Sequence, residues 1–102
     1  MKMKKQVVGY FEVGDFLRGK RLASGKSQGD VRRELGYSTP QFISNWERGL
    51  SHPPHRDIRK IADVYGCNVE EFCEQYIQLV LQAFENELRG EIAVKKKSGT
   101  KK

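Results

Sequence analysis

Cysteine is scarce in this 102-residue chain: there are two, and they do not form a C-x-x-C pair. Cys67 and Cys73 therefore give neither a disulfide framework nor a redox motif. With His52 and His55 they spell H-x2-H-x11-C-x5-C, an order and spacing that match no common zinc module, so no metal is expected. Cys67 is read as a small core residue instead. No apolar run is long enough to cross a membrane, and the lysine-rich start MKMKK lacks the apolar stretch of a secretory signal. The expectation is a cytoplasmic protein. There is also no nucleophile–base pair, no metal cluster and no phosphate loop in the sequence, so neither catalysis nor a cofactor is expected. Hydrophobic residues make up 37%, enough for the core of one small domain.

Charge is plentiful and uneven. The net charge is +6, but residues 13–61 carry ten Lys and Arg against five Asp and Glu. Residues 62–94 carry Arg89 alone against seven acids, and the two ends add eight lysines. Phosphate would be drawn to the first segment and repelled by the second.

The basic segment contains SQGDVRRELGYSTPQFISNWERG, residues 27–49, which reads as two short helices with a break. The first covers about Gln28 to Leu35, with Val31 and Leu35 on one face, and stops at Gly36, suited to a left-handed conformation. Pro40 then favours a new helix with Thr39 as its cap and itself at the first position. Ile43 and Trp46 point inward at helical spacing. Gln41, Ser44, Asn45 and Arg48 form the opposite stripe, spaced i, i+3, i+4, i+7. Such a row offers donors and acceptors suited to base edges in a DNA major groove. The bland reading is a small helical domain whose polar face merely meets water.

The spaced pattern S-Q-x(7)-G followed by S-N-W-E-R-G resembles the helix-turn-helix of phage-repressor-like (XRE-type, lambda-repressor-like) transcription regulators. The resemblance covers about residues 13–73. It implies an all-α, five-helix fold and sequence-specific binding of double-stranded DNA, with the third helix in the major groove and repression as the outcome. Gln28 would brace that helix and donate to phosphate, and Gln41, Ser44 and Asn45 would read bases. Arg48, with the backbone amides near Gly49 and Leu50, would contact phosphate. Ser38, Thr39 and Ser51 complete the DNA-binding set. Arg21 stands where the family has an arginine that pairs with the glutamate of W-E-R-G, here Glu47, a structural salt bridge. Arg32 departs from the family's small residue at that position; its stem can lie along the helix interface with the charge outward.

Around this motif, residues 1–12 read as a basic N-terminal arm. A first helix covers about Val13 to Ser24 with Val13, Phe16 and Leu17 on its core face. After the loop LSHPPH, a fourth helix from about His55 to Tyr65 buries Ile58, Ile61, Ala62 and Tyr65. Asn68 and Glu71 have capping-box spacing, and a fifth helix runs unbroken to about Arg89. Residues 74–90 extend it beyond the helix-turn-helix domain of 13–73, and 91–102 form a lysine-rich tail expected to be disordered. Ile77, Leu81, Phe84 and Leu88, spaced 4, 3 and 4 apart, make a two-helix seam expected to join a homodimer. The rival reading is an antitoxin or co-regulator whose fifth helix engages a different protein. Non-specific packaging of nucleic acid through the lysine ends is a third.

Overall fold

Short polar caps and chain-reversing glycines divide this sequence into its elements. The computed structural model describes residues 10–90, and every regular element within them is helical: α1 Phe11–Ala23, α2 Gln28–Leu35, α3 Gln41–Glu47, α4 Ile58–Val64 and α5 Val69–Arg89. A single 3-10 turn, His55–Asp57, precedes α4. The tail 91–102 and residues 1–9 of the basic arm lie outside the described residues.

The protein is all-α with five helices, and several boundaries have identifiable causes. Ser27 starts α2: its hydroxyl accepts from Asp30 N at 3.0 Å while Asp30 Oδ2 accepts from Ser27 N at 2.9 Å. This reciprocal capping box was not singled out in the sequence. Gly36 ends α2 with φ of +83°, and the Gly36 and Tyr37 amides close onto Arg32 O. At Asn68 only half of the expected box forms, with Oδ1 accepting from Glu71 N at 2.9 Å.

Four expectations need correction. Phe11 and Glu12, assigned to the arm, form the first turn of α1, because Phe11 packs onto Gly49. Helix four is shorter than expected, since the chain leaving Pro54 first tightens into the 3-10 turn. Phe16 is only half-buried, tilted against Phe72 with ring centroids 5.0 Å apart, and Cys67 is likewise half-buried at the edge of the core. The start of α3 is as expected: Pro40 has helical dihedrals and its carbonyl accepts from Ser44 N at 3.0 Å, while Thr39 Oγ1 accepts from Gln41 N at 3.3 Å as a cap does.

The core draws Val13 and Leu17 from α1, Val31 and Leu35 from α2, and Ile43 and Trp46 from α3. Ile58, Ile61, Ala62 and Tyr65 come from α4 and its C-terminus, and Phe72 and Tyr76 from α5. Full burial of one such side chain contributes about 1.5–3 kcal/mol. Helix α1 is the hub, packing on both α3 and α5, while α4 joins α2 to α5. Close approach of α1 and α3 depends on Gly14. A Cβ there would stand 2.6 Å from Glu47 O and 2.7 Å from Trp46 O.

Those neighbours are backbone atoms that cannot swing aside. Gly14→Ala should therefore destabilise the domain by about 2 kcal/mol or more through overpacking. Gly19→Ala on the same helix, where an added Cβ meets nothing within 4 Å, should stabilise it by up to about 1 kcal/mol. Thermal melts of the two variants check the contrast.

Candidate nucleic-acid interface

Two faces of α3 have different tasks. Its inner face buries Ile43, Trp46 and Glu47, and the carboxylate of Glu47 is the polar centre of the fold. Arg21 Nε donates to Glu47 Oε2 at 2.6 Å and Arg21 Nη2 to Oε1 at 3.0 Å, a two-pronged pair with both side chains largely shielded from solvent. Arg21 Nη1 also donates to Lys26 O at 2.8 Å. The hydrogen bond that Arg21 donates to Glu47 is the first cause, ahead of opposing desolvation, of an Arg21 pKa raised above the ordinary value. Gln28 Nε2 donates to Glu47 Oε1 at 3.0 Å. Three helices thus converge on one carboxylate. Beside it, burial and the Glu47 charge push the Tyr65 phenol pKa upward, and Tyr65 Oη has no hydrogen-bond partner among the described residues.

The outer face carries Gln41, Ser44, Asn45 and Arg48, with Gln41 and Arg48 exposed and the other two half-exposed. Gln41 Nε2 donates to Asn45 Oδ1 at 2.9 Å, and Arg48 Nη2 donates to the same oxygen at 3.0 Å. The row is one hydrogen-bonded string along the helix, with its remaining donors free for a ligand. Thr39 is half-exposed and Ser38 exposed at its N-terminal end, and Ser51 is exposed in the following loop.

The sequence missed several features of this region. The Gly49 and Leu50 amides do not point at a ligand: they donate to Trp46 O at 3.1 Å and Asn45 O at 3.0 Å, which closes the helix. Gln28, expected to brace α3, has its amide directly on Glu47. The charged end of Arg32 does not turn outward; Nη1 donates to Tyr37 O at 3.1 Å and ties down the turn between α2 and α3. Tyr37 is itself anchored, donating to Asp57 Oδ2 at 2.6 Å. Burial first, then that bond and the Asp57 charge, raise its pKa to about 12, so it remains a donor near neutral pH. His52 and His55 stack with ring centroids 5.1 Å apart beside Ser51. Neither the Tyr37–Asp57 bond nor the histidine stack has a local sequence signature, because each joins residues from separate elements or across two prolines.

Glu47→Ala should cost about 3–5 kcal/mol, because it strands a shielded guanidinium and the Gln28 amide together. Arg48→Ala, at an exposed position, should leave the unfolding free energy within about 0.5 kcal/mol of wild type. Chemical denaturation of both variants checks the difference.

A family model described as a helix-turn-helix domain matches residues 12–74. No curated protein and no solved structure matches the chain. The matched span begins in the first turn of α1 and ends in the second turn of α5. It therefore takes in the α2–turn–α3 unit, the Glu47 centre that holds it and the outward row of α3. The chain belongs to the helix-turn-helix domain family.

Proposed function

We propose that this protein is a sequence-specific double-stranded DNA-binding regulator of transcription, acting as a repressor, that reads the major groove with α3. The observation that carries this reading is the string Gln41–Asn45–Arg48, outward on a helix whose opposite face is fixed by Trp46 and Glu47. Amide side chains at helical spacing match the donor and acceptor pattern of adenine edges, and an arginine matches guanine or phosphate. Gln41, Ser44 and Asn45 read bases. Ser38, Thr39, Arg48 and Ser51 contact the backbone around them, and Gln28 acts mainly through Glu47 with one amide hydrogen left for phosphate. The basic segment 13–61 supplies the attraction that is lost with salt.

One recognition helix reads only a few base pairs, so two copies on two half-sites are needed for a specific site. Helix α5 supplies the surface. Ile77, Leu81, Phe84 and Leu88 are 48%, 54%, 56% and 71% exposed, a continuous apolar row on a helix about 31 Å long. Beside it, an open groove of about 390 Å³ between α4 and α5 is lined by Ile58, Tyr76, Ile77, Val80 and Leu81, with room for an apolar side chain from outside. Glu74, Glu85 and Glu87 flank the row and would oppose one another in a parallel pairing, which favours a crossed or antiparallel homodimer. A different protein on the same row, as in an antitoxin or co-regulator, is the second reading.

Two measurements test this. Sites selected from a random DNA pool should share a motif, and Asn45→Ala or Gln41→Ala should weaken binding to the best site by about 1–3 kcal/mol and relax one or two positions. Wild-type affinity and an unchanged motif in both variants would defeat the base-reading assignment. In sedimentation the wild type should be a dimer at micromolar concentration. Leu81→Glu combined with Phe84→Glu should give a folded monomer that binds a half-site weakly. A wild type that stays monomeric and acquires a different partner through α5 would instead support the antitoxin or co-regulator reading.

A further inference from the structure

Phe42 stands in the first turn of α3 and is 49% exposed, although it is a large aromatic on a helix whose other outward residues are polar. It is not a loose side chain. Its ring meets Tyr37 edge-on, with centroids 5.4 Å apart and an interplanar angle of 71°. Tyr37 in turn meets Trp46 at 5.6 Å and is pinned by its 2.6 Å hydrogen bond to Asp57. Three rings therefore run from the buried core to the surface, and the last one is supported on one side and open on the other. Being three residues before Asn45, Phe42 is its neighbour on the helix surface.

An aromatic ring at a major groove cannot stack on bases that are paired and stacked already. The one apolar feature that the groove presents at a base edge is the thymine C5-methyl group. We propose that Phe42 determines specificity by packing its open ring face against the methyl group of one thymine adjacent to the base pair read by Asn45. The proposal rests on the DNA-binding reading above. The aromatic relay through Tyr37 and Trp46 sets the ring in place before DNA arrives, so little ordering cost remains on binding. Cover for Tyr37 alone would explain the edge contact but would carry no information about a methyl group.

The test replaces each thymine of the selected half-site by uracil, one at a time, which removes the methyl and leaves pairing intact. Affinities are measured for the wild type, Phe42→Ala and Phe42→Leu, with melts to check folding. For the wild type one replacement should weaken binding about fourfold, the factor that burying one methyl-sized group is worth. Phe42→Ala should bind the thymine site more weakly and show a thymine-to-uracil ratio near one at that position. Phe42→Leu, which keeps an apolar side chain, should retain part of the ratio. A wild type indifferent to every replacement, a half-site without thymine, or an undiminished ratio in both folded variants would overturn the proposal. Failure to select any sequence would overturn the DNA-binding reading and this proposal with it, whereas a selected site with no methyl dependence would overturn this proposal alone.

Discussion

The carboxylate of Glu47 is the point on which the arrangement of this domain depends. It accepts two hydrogen bonds from Arg21 of α1 and one from Gln28 of α2, while belonging to α3. A shielded ion pair of this kind adds little net stability compared with apolar packing, but breaking it leaves a charge with no partner. Its effect is therefore on geometry more than on depth of the folded minimum. Bidentate pairing fixes both distance and angle, so the end of α3 cannot rotate or slide against α1 without losing bonds. Gly14 makes the pairing reachable, since a side chain there would meet the carbonyls of Trp46 and Glu47.

With its inner face fixed, α3 has no freedom about which residues face outward. Gln41, Asn45 and Arg48 are joined through one oxygen, Asn45 Oδ1, and their shared bonds hold them extended along the helix. A second brace acts from the other side: Arg32 holds the carbonyl of Tyr37, and Asp57 holds its hydroxyl. The turn between α2 and α3 is thus tied to the segment that leads into α4. These contacts lower the entropy that a recognition surface would lose on binding. The division of charge agrees with this layout. Helix α3 packs on α1 and α2, whereas the acid-rich α5 packs on α1 and α4. Phosphate on the outer face of α3 would then lie on a helix that makes no extensive contact with the acidic one.

The parts of the structure that could be read from sequence are those governed by neighbours in the chain. Gln28–Leu35 ends at Gly36 because a left-handed residue is needed there, and α5 starts at Asn68 because its side chain can cap. Val31, Leu35, Ile43, Trp46, Ile58, Ile61 and Ala62 fall inside because helical spacing puts them on one face of their own helix. The exposure of Ile77, Leu81, Phe84 and Leu88 followed from there being more apolar spacing on α5 than neighbouring helices can cover.

Contacts between residues far apart in the chain were readable only where the family resemblance supplied them, as for Arg21 and Glu47. Gln28 offered an amide, but that it bonds to Glu47, nineteen residues on, depends on how α2 and α3 cross. Arg32 offered a charge whose direction was settled by the position of the Tyr37 carbonyl, and the Gly49 and Leu50 amides were settled by how tightly α3 closes. Phe42 and Gly14 carried no local signal either, since an aromatic or a glycine in a helix acquires meaning only from what stands opposite. Sequence by itself determined the helices, their caps and the polar row on α3, because those follow from bond geometry and spacing within a few residues. Tertiary structure alone decided where the Arg32 guanidinium and the Tyr37 hydroxyl are engaged and which polar groups remain open to a ligand, because that depends on distances set by packing between helices.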